Sequence, residues 1–180
     1  PAHLNDLRKD VYFIDNNISA NHRWLRYIYI ANIILKRKLI NDNNTWVDIG
    51  SFYGGIQGIV KSKHQNISLV LVDFNHQLCR SYVYLKNLFP NAKHILPNNI
   101  NKINEISSIE KNTIMYVKVS DFSKIKNIKA ELVSNFFSFG EMKRNIFKNY
   151  YESELLNSCK NIYLINRFVS SPFFEKTYDS

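Results

Sequence analysis

Two cysteines, Cys79 and Cys159, are the whole thiol content of the 180 residues. They lie far apart with no second cysteine near either, which excludes a disulfide framework or a cysteine-based metal site and leaves two reduced, structural thiols. No apolar run approaches the roughly 20 residues that a membrane helix needs, so no integral membrane segment is expected. The opening residues Pro1, Ala2, His3, Leu4, Asn5 and Asp6 have neither the basic nor the apolar part of a signal peptide, and the expected location is the cytoplasm. Acidic residues are outnumbered, 15 Asp and Glu against 24 Lys and Arg, for a net charge of +9. Even so, the basic residues cluster only at Lys36-Arg37-Lys38 and Lys143-Arg144. That dispersion gives no stripe of the kind that tracks a nucleic-acid backbone, and no nucleic-acid partner is expected. Lys, Asn and Ile are abundant together, a bias that an AT-rich coding sequence produces without selection for a partner. His22, His64, His76 and His94 stand at no spacing that suits a metal or a catalytic triad. What remains, 45% hydrophobic and 22% charged residues, is the composition of one ordinary globular domain.

The stretch Thr45-Trp46-Val47-Asp48-Ile49-Gly50-Ser51-Phe52-Tyr53-Gly54-Gly55 organises the rest. A short apolar strand runs into a glycine-rich turn and then a helix, whose first N–H groups face whatever the turn binds. Gly50 and Gly54 allow backbone angles that a Cβ forbids. Asp48 sits beside that mouth. Residues 68–73 form a second apolar strand ending in Asp73, at the distance expected for a carboxylate that holds the two hydroxyls of a ribose. Asp73 also stands where it could cap the following helix.

Taken in order, residues 1–18 are polar and irregular, and Ser19 or Asn21 caps a helix with Trp24, Ile28, Ala31 and Leu35 at helical spacing. Strand 46–49, helix 55–63, strand 68–73 and helix 76–89 then alternate. Residues 93–96 and 114–119 are both strand-like, and either can be the third central strand. Residues 130–137 are a strand, 141–158 one long helix and 161–166 a further strand. Strands separated by helices imply a doubly wound, mostly parallel, Rossmann-like α/β sheet that binds ligands beyond its C-terminal strand edges. Residues 1–44 are then a helical lead-in, and 45–180 the domain proper.

The order from Asp48 to Gly55, followed by Val72-Asp73-Phe74, resembles the first two motifs of class I S-adenosylmethionine-dependent methyltransferases. Asn135-Phe136-Phe137-Ser138-Phe139-Gly140-Glu141-Met142, then Tyr150 and Asn166, narrows the resemblance to a family of sugar O-methyltransferases. That resemblance spans roughly residues 20–170. It implies S-adenosylmethionine as cofactor, with Asp48, Gly50, Ser51, Gly54, Gly55, Asp73 and Phe74 binding it. It implies a sugar or glycan as substrate, with Asn135, Ser138 and Tyr150 as its contacts and Glu141 accepting the hydroxyl proton. No metal is implied. Phe52 departs from the family, standing where a second glycine of the turn is usual. Its ring is expected either to displace the cofactor or to pack beneath the loop.

Two other readings compete. A nicotinamide-dependent oxidoreductase shares the strand, turn and acid, but its G-x-G-x-x-G fingerprint is absent. A non-catalytic, cofactor-free binding module would keep the fold and lose the turn chemistry at Phe52. A class I sheet ends in an antiparallel hairpin after its fifth strand, and residues 167–180 are too short for a helix and two strands. The expectation is an incomplete domain whose native chain continues for roughly 40 residues or more.

Overall fold

The computed structural model describes residues 11–15, 18–100 and 103–166. Strands β1 (Val11–Asp15) and β2 (Ile18–Asn21) pair antiparallel, where the sequence suggested irregular chain. Helix α1 (His22–Lys36) follows at once, and Asn21 is its cap: the side-chain oxygen accepts from the Trp24 N–H at 3.0 Å. The buried face of α1 is Trp24, Ile30, Ala31 and Ile34. That face is turned slightly from the expected one, and Ile28 is left exposed.

Six parallel strands form the main sheet. They are β3 (Thr45–Ile49), β4 (Ser68–Asp73), β5 (Lys93–Ile95), β6 (Thr113–Lys118), β7 (Leu132–Phe136) and β8 (Asn161–Ile165). Their order across the sheet is β5-β6-β4-β3-β7-β8. Both strand-like segments in the middle of the chain are therefore in the sheet, with β6 beside β4 and β5 at the edge outside it. The chain winds outward from β3 to one side, then crosses to β7 on the other, so the topological switch point lies between β3 and β7. Helices α2 (Gly55–Lys63), α3 (Asn75–Leu88), α4 (Pro97–Ile100), α5 (Arg144–Tyr151) and α6 (Glu154–Ser158) make the connections. This is the doubly wound, Rossmann-like α/β architecture the alternation implied. Among the described residues no strand pairs with the outer side of β8, and the 167–180 segment that the incomplete-domain expectation rests on lies outside them. No described helix is long and apolar enough to cross a membrane.

Apolar residues on the central strands separate with period two, as a sheet covered on both faces requires. Trp46, Leu69, Leu71, Ile114, Tyr116 and Leu132 meet α1, α2 and α3 on one face. Val47, Val70, Val72, Met115, Val117 and Val133 meet the other layer, which includes Tyr150, Leu155 and Leu156 of α5 and α6. Ile30, Ala31, Ile34 and Ile40, from the segment read as a lead-in, belong to the first of these cores.

The helix expected over 141–158 is broken in two. Ser153 is extended at φ −71, ψ 147, and its hydroxyl donates to the Tyr150 carbonyl at 2.6 Å. A serine that offers the backbone a competing hydrogen bond ends α5 there.

Lys61, on α2, is fully buried. Its ammonium donates to the Gln65 carbonyl at 2.8 Å, the Ile67 carbonyl at 2.7 Å and Asn112 Oδ1 at 2.9 Å. Desolvation pushes its pKa down to about 8, against the pull of Asp42. Because removing the ammonium orphans three acceptors, Lys61→Ala is expected to cost about 3 kcal/mol. Urea unfolding midpoints of the two proteins measure it, and a cost below about 1 kcal/mol would show that water replaces the ammonium.

Candidate functional site

Strand β3 ends at Ile49, and the turn that follows is clasped from three sides. The Gly50 N–H donates to the Val72 carbonyl at 2.8 Å, and Gly50 adopts φ +75. A Cβ on Gly50 would stand 2.0 Å from Ser138 Oγ, so the close approach of β7's exit also requires glycine there. Asn135 Nδ2 donates to the Ile49 carbonyl at 2.6 Å and also to Ser138 Oγ, while its Oδ1 accepts from the Phe139 N–H at 3.0 Å. On the far side, Ser81 of α3 donates its hydroxyl to the Phe52 carbonyl at 2.6 Å. Gly54 (φ +85) approaches Leu85 of the same helix.

Phe52 itself adopts φ +53, the left-handed conformation for which glycine is the usual choice. Phe52 lines the cavity under the Arg23 guanidinium, whose carbon lies 5.4 Å from the ring centroid.

Asp73 is buried, with Oδ2 accepting from the Phe52 N–H and Oδ1 from the Phe74 N–H, each at 2.7 Å. Its carboxyl is pushed above the usual range by desolvation, which outweighs these two hydrogen bonds. A carboxylate has about four acceptor positions, and the two amides leave room for hydroxyl donors from the cavity.

Asp48 is 1% exposed. Ser134 Oγ and Gln57 Nε2 donate to its two oxygens, and Trp46 Nε1 donates to Ser134 at 2.7 Å. Burial, with the nearby Asp73 charge adding to it, pushes the Asp48 carboxyl up to about 8. Between the ordinary value of 3.8 and about 8 the folded chain holds a proton that the unfolded chain has lost, so stability contributed by the neutral form falls as pH rises through that window. Asp48→Asn is expected to flatten the fall. Melting temperatures of both proteins from pH 5 to 8 check it, and identical slopes would show that Asp48 is already ionised at pH 5.

These groups open onto one cavity of about 690 Å³ at the C-terminal edge of the sheet, where a doubly wound fold binds its ligands. Of the residues named from sequence, Asp48, Gly50, Ser51, Gly55, Asp73, Phe74, Ser138, Glu141 and Tyr150 line it, whereas Gly54 and Asn135 do not. Glu141 lies in the 3-10 turn Phe139–Glu141, and its N–H donates to the Ser138 carbonyl at 3.0 Å. Tyr150 is buried against Phe122, ring centroids 4.6 Å apart, and burial with the Asp73 charge pushes its phenol up to about 12.

Sequence reasoning missed Arg23, Arg26 and Tyr27 of α1, Gln57 and Gln77, and Lys143. The one local signal was the spacing of Arg23 and Arg26, a single helical turn apart on one face. Three buried oxygens in the lining, Ser51 Oγ, Gln57 Oε1 and Gln77 Oε1, have no hydrogen-bond partner. Buried polar atoms are ordinarily satisfied, and three orphans on residues that border one cavity fit a site completed by a polar ligand.

No family model and no curated protein matches the chain. Among solved structures, it is similar over 74% of its length to 23% of PKMT2 from Rickettsia typhi in complex with AdoHcy, at 13% identity and a TM-score of 0.49. It is similar over 79% of its length to 36% of a coclaurine N-methyltransferase bound to N-methylheliamine and SAH, at 14% identity and a TM-score of 0.44. The chain thus spans well under half the length of either protein.

Proposed function

We propose that the chain binds S-adenosylmethionine and transfers its methyl group to a hydroxyl of a sugar or glycan, with residues 45–180 as the catalytic unit. One observation carries the reading. The glycine turn, the strand-end carboxylate Asp73 and three residues that each carry an unpartnered buried oxygen border a single cavity at the C-terminal edge of the sheet. When bound, the cofactor supplies an electrophilic methyl group on sulfur.

The protein's own residues do the rest. Asp73, held by two backbone amides, accepts from ribose hydroxyls, and Phe74 offers an apolar face beside it. Gly50, Gly55 and Ser51 bring backbone and a hydroxyl to the methionine half, and Gly54 shapes that turn. Asp48 and Gln57 supply acceptors for its amino group. On the acceptor side, Ser138 and Tyr150 orient the sugar. Asn135, whose amide is spent on Ile49, Ser138 and Phe139, fixes Ser138 in place. With the cofactor bound, Glu141 would take the proton that the acceptor hydroxyl gives up as its oxygen is methylated. Most of the rate comes from holding that oxygen in line.

Calorimetric titration with S-adenosylmethionine, S-adenosylhomocysteine and NAD tests the reading. Single-site binding of the first two and none of NAD is expected. The opposite pattern would replace it with a nicotinamide-dependent oxidoreductase.

A further inference from the structure

We propose that Ser134 and Trp46, neither of which lines the cavity, are positioning residues for the ligand's ammonium group. They hold Asp48 so that it ionises as the ammonium arrives, and binding releases a proton to solvent. The inference rests on the S-adenosylmethionine reading for the source of the ammonium, and on the following contacts for the rest.

Asp48 and Ser134 are direct neighbours across β3 and β7, and both are buried, as is Trp46. The hydrogen bonds that reach Asp48 from behind have a fixed direction. An indole N–H only donates, so Trp46 Nε1 occupies a lone pair of Ser134 Oγ at 2.7 Å and turns the hydroxyl proton toward Asp48 Oδ1. Gln57 Nε2 donates to Oδ2. Each carboxyl oxygen thus has a donor suited to the charged form, yet the charge that acts on the group is that of Asp73, of like sign. A buried carboxylate is ordinarily paired with a cation, and among the described residues no ion pair includes Asp48. The Gln57 amide that donates to Asp48 also carries an oxygen that is buried and has no hydrogen-bond partner. An ammonium beside that amide supplies what both residues lack, a positive charge for Asp48 and an N–H for Gln57 Oε1.

The neighbouring titratable groups do not take the role over. Tyr27 of α1, which feels the Asp48 charge, has its phenol raised by burial and stays neutral near pH 7. Asp73 on β4 is raised mainly by burial and feels His76 of α3, and in this reading it serves the ribose. Burial pushes Asp48 itself up to about 8, so at pH 7 the empty site holds the proton. Affinity for an ammonium therefore rises with pH until Asp48 ionises unaided.

The test compares S-adenosylhomocysteine with its deamino analogue, which keeps the carboxylate, thioether and ribose, so that Asp73 and His76 act on both ligands alike. Calorimetry of the full chain at pH 7, in two buffers of different ionisation heat, counts the protons released. About one is expected for S-adenosylhomocysteine and about none for the analogue, with the ratio of the two affinities rising roughly tenfold from pH 6 to pH 7. Ser134→Ala is expected to weaken S-adenosylhomocysteine by about fivefold or more at pH 7, to spare the analogue and to recover at higher pH. Trp46→Phe should act in the same direction by a smaller factor. Equal proton counts for the two ligands overturn the inference, and so does a Ser134→Ala protein that binds both ligands more weakly by the same factor, or neither. If Ser134→Ala does not fold, the wild-type proton count and Trp46→Phe decide. Should S-adenosylhomocysteine not bind at all, the cofactor reading fails by itself. Carbon-13 titration of the Asp48 carboxyl in the ligand-free protein then decides the relay: a midpoint that rises in Ser134→Ala or Trp46→Phe upholds it, and an unmoved one overturns it.

Discussion

Asp73→Ala is expected to weaken S-adenosylhomocysteine binding by about a hundredfold, close to 3 kcal/mol, and to lower stability by about 2 kcal/mol as well. The two losses have different origins. Affinity falls because a strand-end carboxylate no longer accepts from the ligand. Stability falls because the Phe52 and Phe74 N–H groups, each 2.7 Å from an Asp73 oxygen, lose a charged acceptor inside the fold. From sequence alone Asp73 offered a choice between a ligand contact and a helix cap, and the structure shows that it braces the glycine turn from β4. Asp73→Asn separates the roles. Its amide oxygen still serves one N–H, but its NH2 opposes the other, so part of the stability returns while a ribose loses a charged acceptor. Calorimetry and urea melts on all three proteins measure both effects. Unchanged affinity in Asp73→Ala would remove this residue from the ligand site and leave it a purely structural brace.

The parts of the fold that were legible are those set by local chemistry. Helix α2 was read at 55–63 and strand β4 at 68–73, the bounds observed, because strands buried on both faces are uninterrupted apolar runs and a glycine turn marks where one stops. The order of β5 and β6 was not legible, since both segments look alike locally and only pairing with β4 distinguishes them. The break between α5 and α6 was hidden for a similar reason. Phe147, Tyr151 and Leu155 keep helical spacing through it, and a single serine hydroxyl makes the interruption. In the site, the residues read from sequence lie on the turn and at the strand ends, where spacing fixes position. Arg23, Arg26 and Gln77 come to the cavity on helix faces, and beyond the one-turn spacing of the two arginines nothing in their neighbourhood along the chain marks them as different from other solvent-facing polar residues. Phe52 is the instructive case. A bulky residue in place of the usual glycine was visible at once, but the backbone holds the same left-handed conformation regardless, and where the ring goes depends on Arg23, nearly thirty residues earlier.

Gly50→Ala is expected to destabilise the protein by about 3 kcal/mol or more and to abolish ligand binding with it. Two penalties add. An L-residue held at φ +75 costs about 1 kcal/mol. The larger part is steric, because the new methyl would stand 2.0 Å from Ser138 Oγ and 2.6 Å from Ser138 Cβ, and forcing an extra group into a packed contact costs about 1–3 kcal/mol. Ser138 cannot swing aside cheaply, since Asn135 Nδ2 donates to its hydroxyl while also holding the Ile49 carbonyl at 2.6 Å, and moving one opens the other. The double variant Gly50→Ala with Ser138→Gly isolates the contact. With the serine side chain gone, the nearest remaining atom is Asn135 Nδ2 at 3.5 Å, an ordinary van der Waals distance, so the second substitution should recover most of the steric loss and leave only the backbone strain. A favourable coupling of about 1–2 kcal/mol between the two sites is the expected result of the cycle. Additive costs would mean that Gly50 is required for its dihedral angle alone, and that the approach of β7's exit to the turn does not constrain the residue there.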